Sequence, residues 1–413
     1  GLAVAPLMGP SARAQSLLRD VDVAILGAGA AGLAAAAECA RLGRSYLVIE
    51  ARERIGGRVF TDDSLGAPFD AGALFLHWAE RNPWRAEAAR LGAKLVDEPT
   101  SALRVVDGGA APPPGESRRA QFGRLSALLE GPGVEDVSVA EIARRAGLEG
   151  AASGLTRMAL GEEPAQVSAL DYARLWSGED LVAPEGFGRL VTAYGRGLNV
   201  RMGVAATGLR WDGPGVSIDT TAGTLRAGAA IVTLPVGVLK AGTVTFQPGL
   251  PVETLRALDG LEMGVLAKIA LAFDGDRLGM SGPTDLILNQ GGVLINFDCW
   301  AFGRPLVVGY VGGEGARAFN RLGAEGAVRA ALDAFASAVG GEAKRQFRDG
   351  RFHGWSNDPL ARGAYSHALP GRAGARAALA APVGDRLFFA GEATGGEGGD
   401  YGGAMTAGGA FLA

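Results

Sequence analysis

The sequence predicts an architecture of α/β plus α+β type, in which a Rossmann-like nucleotide-binding domain built from discontinuous segments adjoins a second domain of mixed β-sheet and helices. Three observations support this. A strand, a glycine loop, a helix and a second strand follow one another from Asp22. Alternating apolar segments crowd residues 209 to 311, the pattern of an antiparallel sheet. Near residue 390 another apolar strand runs into a tight glycine turn, so the cofactor domain is expected to be completed from distant parts of the chain. A length of 413 residues also exceeds a comfortable single core, which favours two or three domains.

The elements are justified in order. Gly1 to Met8 is apolar, and Ala12-Arg13-Ala14 forms an A-x-A pattern. Residues 1–20 are therefore expected to be a signal-peptide remnant ending near Ala14, and the protein periplasmic; the alternative is an N-terminal arm on a cytoplasmic protein. Val23 to Leu26 reads as a strand, Gly27-Ala28-Gly29-Ala30-Ala31-Gly32 as the GxGxxG loop, Leu33 to Leu42 as a helix and Tyr46 to Ile49 as the next strand. Glycines suit the sharp turn, the close approach of a pyrophosphate and the packing of helix on strand, while Glu50 stands where an acid accepts hydrogen bonds from ribose hydroxyls. The helix N-terminus offers unpaired N–H groups to the phosphates. A second loop, Arg54-Ile55-Gly56-Gly57-Arg58, is expected to press on the same phosphates, with Arg58 supplying charge.

Asp70 to Leu76 reads as a strand, and Val139 to Leu148 and Leu170 to Trp176 as helices of an insertion. After Gly186 a helix to about Gly197 leads into strands Leu209 to Trp211, Val216 to Thr220, Thr224 to Ala227 and Ala229 to Leu234. Further strands are expected over Lys268 to Phe273, Asp285 to Leu288, Gly292 to Phe297 and Leu306 to Val311, then a helix over Ala324 to Val339 and a strand over Arg386 to Ala390. The division drawn from this assigns 21–85, 185–250 and 376–413 to the cofactor domain, and 86–184 with 251–375 to the substrate domain.

Composition excludes several classes of function. Forty basic against 44 acidic residues leave a net charge of −4, so no bulk attraction to nucleic acid is expected. Glycine makes up 66 of the residues, far above its usual share of about 7%, yet without a G-X-Y period, which argues for many tight turns rather than collagen or disorder. Cys39 and Cys299 are too few for a disulfide framework, and His77, His353 and His367 lack metal-ligand spacing, so no metal is expected. The apolar run Val23 to Ala37 falls short of the roughly 18 residues of a membrane span. No GxSxG occurs, so a hydrolase lacks its nucleophile turn. Lys268 lies in the middle of an apolar strand, where an ammonium must find partners, lose its proton or snorkel to the surface.

Together these motifs resemble the flavin-containing amine oxidases: GAGAAG (Gly27 to Gly32), Glu50, RIGGRVFT (Arg54 to Thr61), TLPVGVLK (Thr233 to Lys240), ARGAYSHALPG (Ala361 to Gly371) and LFFAGEAT (Leu387 to Thr394). The resemblance runs in order from Asp22 onward and implies FAD as cofactor in an amine oxidase fold. By position it implies contacts to FAD from Gly27, Gly29, Ala31, Gly32, Glu50, Ala51, Arg52, Gly57, Arg58, Ala206, Gly391, Glu392, Tyr401 and Ala404, with Ala206 standing where relatives usually carry valine. It implies hydride transfer from the carbon next to an amine nitrogen to flavin N5, giving an imine that water hydrolyses, with O₂ or a cytochrome as final acceptor.

Within that likeness, Lys268 matches the lysine that holds a water near N5, and Tyr365 an aromatic wall over the flavin, the two expected catalytic residues. His77, Trp355 and Asp400 are expected at the substrate pocket, His77 with Trp78 close to the flavin. Asp400 has two readings, an acid that attracts a cationic substrate or a solvent-facing loop residue. Trp300 is expected in the core. Carotenoid desaturases and protoporphyrinogen oxidases share the cofactor domain, but generally lack the lysine and the tyrosine. L-amino-acid oxidases carry a carboxylate-binding arginine where Phe75 stands, which argues against an α-amino acid substrate unless an arginine of the helical insertion, such as Arg157 or Arg174, takes that role.

Overall fold

A computed structural model describes residues 20–99, 101–107, 117–175 and 178–395. Its eight-stranded sheet centres on Val21–Leu26, which pairs in parallel with Tyr46–Ile49 on one side and with Gly223–Val232 on the other. Ile25, paired with Val48 and Ile231, faces the buried helix Ala30–Arg41, while Leu26 faces the opposite core. Each face of the sheet thus has its own apolar layer, as the alternation of side chains along a strand dictates.

The expected pair of strands across Thr224 to Leu234 is one strand. Its first half, Gly223 to Ala227, is antiparallel to Val216–Thr220, and its second half is parallel to Leu387–Phe389. The exchange of partners occurs around Gly228, where an added Cβ would stand 3.0 Å from the Asp22 carbonyl. Strand Leu387–Phe389 thereby joins a sheet begun more than 300 residues earlier.

Helix Pro83–Leu91 was not among the expected elements, although its signals are present: Asn82 caps it by accepting from the Trp84 amide, proline opens it and Gly92 closes it at φ 70°. Trp84 is fully buried against Phe187 and Tyr194, in the same core as helix Ala30–Arg41. Ala88 and Leu91 pack in that core as well. Likewise, Ala257 and Leu258 of helix Val252–Asp259 join the core beneath the large sheet.

The second sheet has six strands in the order Phe347–Gly354, Leu266–Phe273, Leu306–Gly312, Val293–Cys299, Thr284–Gln290 and Ala102–Asp107. Helix Gly313–Val339 covers one face, burying Phe319, Ala327, Ala331 and Phe335 against Ile269, Leu271, Phe273 and Phe297. It begins well before Ala324 and is broken at Gly323, whose φ of +69° interrupts the helical backbone. Trp300 fills this core, its ring 5.6 Å from that of Phe273. Helices Arg118–Leu129, Val139–Ala146, Glu149–Ala159 and Ala169–Leu175 form a separate group with its own apolar centre. Among the described residues no helix is long and apolar enough to cross a membrane, and no group of His, Cys, Asp and Glu could hold a metal ion.

Candidate active site

At the strand-to-helix turn, close packing of backbone on backbone requires a glycine at Gly32. A Cβ on Gly32 would lie 1.8 Å from the Gly27 carbonyl oxygen, which is why the helix can rest directly on the turn. A Cβ on Gly29 would meet nothing within 4 Å, so this position faces open space. Glu50 is buried beneath the loop, Oε2 accepting from the Ala28 amide at 2.7 Å and Oε1 from the Arg52 amide at 2.8 Å. The second glycine loop is tied to the first by the Gly56 amide, which donates to the Ala28 carbonyl at 2.8 Å. Arg58 Nη1 donates to the Ala364 carbonyl at 2.7 Å and to Glu392 Oε1 at 2.9 Å, uniting segments more than 300 residues apart.

These segments enclose a cleft of about 400 Å³. Gly27, Gly29, Ala31, Glu50, Ala51, Arg52, Gly57, Arg58, Ala206, Gly391 and Glu392 line it together with Lys268, Trp355 and Tyr365. Gly32 packs behind the wall. An open glycine at a helix N-terminus, a buried carboxylate and an arginine along one continuous cleft fit a dinucleotide such as FAD.

Lys268 is 2% exposed, so it does not snorkel. Its Nζ donates to the Asp70 carbonyl at 2.8 Å and the Gly72 carbonyl at 2.7 Å, and lies 4.8 Å from the centre of the Tyr310 ring. Burial pulls its pKa down to about 8, against the opposing fields of Asp70 and Asp298. The two carbonyls are available because the expected strand Asp70 to Leu76 is broken into Phe69–Asp70 and Phe75–Leu76. Between them the chain bends at Gly72, where a Cβ would lie 1.7 Å from the Arg58 carbonyl oxygen.

Trp355 donates from Nε1 to the Ala71 carbonyl at 2.9 Å, fixing its ring at the cleft. Tyr365 lines the same wall, and burial pushes its phenol up to about 12, so it stays protonated. His77 is not among the residues lining the cleft; its Nδ1 lies 2.8 Å from Asp180 Oδ1, beside the Phe75 ring. Asp400, Tyr401, Ala404 and the whole of residues 1–19 lie outside the described residues. Neither Arg157 nor Arg174 lines the cleft. Arg157 is paired with Glu163 through three contacts of 2.9 to 3.1 Å, and Arg174 donates to the Ala373 carbonyl at 3.4 Å.

The sequence reading missed a second recess. A hollow of about 70 Å³ lies on the far side of Asp70 and Tyr310 and is lined also by Glu98, Asp285 and Asp298, with Arg304 as its one basic residue among those described. Tyr310 donates its hydroxyl to Asp298. Burial raises Asp298 to about 6 and the partly exposed Glu98 to about 7, each reinforced by the neighbouring acids, and Asp285 shifts the same way. A signal was present: Asp285 and Asp298 are lone acids within apolar strands, and the register sets them opposite each other. Only that register shows that they share a hollow.

Residues 30–171 and 169–410 match the family described as flavin containing amine oxidoreductase. Polyamine oxidase 2 of Arabidopsis thaliana is 30% identical over 91% of this chain and 84% of its own length. Polyamine oxidase 4 of Oryza sativa subsp. japonica is 28% identical over 90% of this chain and 83% of its own. Among solved structures, the cyclohexylamine oxidase from Brevibacterium oxydans shares the fold, with a TM-score of 0.78 at 22% identity over 95% of this chain and 96% of that one.

Proposed function

The chain belongs to the flavin-containing amine oxidoreductases, and from that membership we propose that its substrate is an amine bearing a second positive charge, a diamine or polyamine. The reaction is FAD-dependent oxidation of an amine, and the observation that carries the narrower reading is the acidic recess of Glu98, Asp285 and Asp298 behind Lys268. Carboxylates in a partly dry hollow attract a cation more strongly than they would in water. The polyamine oxidases among the relatives support the same reading.

When bound, FAD supplies the hydride acceptor. The chain's residues do the rest. The reacting nitrogen must be uncharged, because a protonated nitrogen has no lone pair to assist loss of the hydride. The distal nitrogen, attracted by the field of the carboxylates behind the cleft wall, keeps its proton. Trp355 and Tyr365 wall the reacting carbon off from water. Lys268, fixed by two carbonyls, has one remaining N–H to orient a water at the cleft.

An amine panel under nitrogen tests the substrate. Flavin bleaching by 1,4-diaminobutane should saturate at a concentration about tenfold lower than by 1-aminobutane, the worth of about 1.4 kcal/mol. Equal half-saturation would overturn the reading. We also propose that the protein works after export, supported by the A-x-A pattern Ala12 to Ala14; N-terminal sequencing of periplasmic protein should begin after Ala14. Rates of reoxidation of the bleached enzyme by O₂ and by cytochrome c assign the acceptor.

A further inference from the structure

Behind the cleft wall lies a buried ion pair that touches neither the cleft nor the acidic recess. Arg376 and Asp171 are 2% and 1% exposed. Asp171 belongs to helix Ala169–Leu175 of the helical group, Arg376 to helix Ala375–Ala380 beside the large sheet. Arg376 Nε donates to Asp171 Oδ1 at 2.7 Å and Nη2 to Asp171 Oδ2 at 3.1 Å. Its other donors go to Ser366 Oγ at 2.8 Å, the Ser366 carbonyl at 2.8 Å and the Glu392 carbonyl at 3.1 Å. All five N–H groups of the guanidinium are therefore engaged.

Proton directions continue toward the cleft. Ser366 Oγ, having accepted from Arg376, donates to Glu392 Oε2 at 2.6 Å, and the Ser366 amide reaches the same oxygen at 3.2 Å. Glu392 Oε1 in turn holds Arg58. On the other side, Asp171 Oδ2 accepts from the Ala368 amide at 2.8 Å, and the Ser168 amide donates to the Ala368 carbonyl at 2.9 Å. One chain of charge-assisted bonds thus runs from the helical group to the arginine at the cofactor cleft.

We propose that Arg376 is a positioning residue for the cofactor: held by Asp171, it fixes Ser366 and Glu392 so that Glu392 sets Arg58 at the cleft, coupling the grip on FAD to the seating of the helical group. Without the pair, Glu392 keeps its carboxylate but loses the serine that orients it. Because coupling is reciprocal, FAD must also tighten helix Ala169–Leu175, although no residue of that helix lines the cleft.

The full-length protein, stripped of FAD and titrated with it by fluorescence, tests this together with hydrogen exchange of residues 168–175 in the presence and absence of FAD. In the unaltered protein FAD should slow that exchange tenfold or more. Ser366→Ala and Arg376→Lys should each weaken FAD binding about tenfold and abolish the slowing, while Glu141→Gln, on an exposed ion pair of the same helical group, changes neither. Ser366→Ala removes a single hydroxyl and remains decisive where an altered arginine prevents folding. The proposal is overturned if these variants melt at a lower temperature yet bind FAD as tightly as before, or if FAD leaves exchange of residues 168–175 unchanged.

Discussion

The two ends of the cleft are built from different material. At the phosphate end, the backbone of residues 27–32 and 56–57 forms the wall, and close approach is the governing constraint. At the end proposed for the amine, side chains from distant strands meet: Lys268 and Trp355 line the cleft, Tyr310 and Asp298 lie behind the lysine, and the bend at Gly72 brings two carbonyls to it. A wall of backbone is intolerant of added atoms but indifferent to pH. A wall of buried ionisable groups tolerates changes of shape better and is governed by charge, since burial moves each group's proton equilibrium.

The largest effect should come from Gly32→Val, whose Cβ would overlap the Gly27 carbonyl. The purified variant should be colourless and take up no FAD, whereas Gly29→Ala, with open space before it, should fold normally and bind FAD more weakly. Yellow Gly32→Val protein would break the comparison at its first term. Next, Lys268→Met should retain FAD while turnover falls roughly 100-fold, because the amine end loses its positioned cation without any change at the phosphate end. Retention of full turnover would remove Lys268 from the reaction.

A smaller, more selective change is expected from Asp298→Asn. It should raise the half-saturating concentration of 1,4-diaminobutane about tenfold and leave that of 1-aminobutane within twofold, in anaerobic flavin reduction. The same recess should show in the pH dependence. With Asp298 near 6 and Glu98 near 7, the hollow gains negative charge as pH rises through that window. The preference for diamine over monoamine should therefore grow between pH 5 and pH 8, and a preference independent of pH would exclude these carboxylates from substrate binding.

Legibility in the sequence follows the same division. The glycine loops, Glu50 and the last strand are readable because their placement depends on local backbone shape, which spacing in the chain specifies. Lys268 stood out because an ammonium in an apolar strand demands partners. Helix Pro83–Leu91 could have been read from Asn82, Pro83 and Gly92, and was not. Strand Phe347–Gly354 is harder to read: Arg348, Asp349 and Arg351 interrupt its apolar pattern, as an edge position permits. Nothing near Arg376 in the sequence names Asp171, 205 residues away, as its partner.

By itself the sequence determined the family, the flavin cofactor and a buried lysine that lines the cleft, since each follows from a short run of residues whose chemistry is local. Only the tertiary structure decided what surrounds that lysine. The bend at Gly72, the facing acids Asp285 and Asp298, and the buried Arg376 bridge exist through strand register and the meeting of separated segments. The physical reason is that a buried charge is governed by whatever lies within a few ångströms of it, and those neighbours are chosen by the fold rather than by adjacency along the chain.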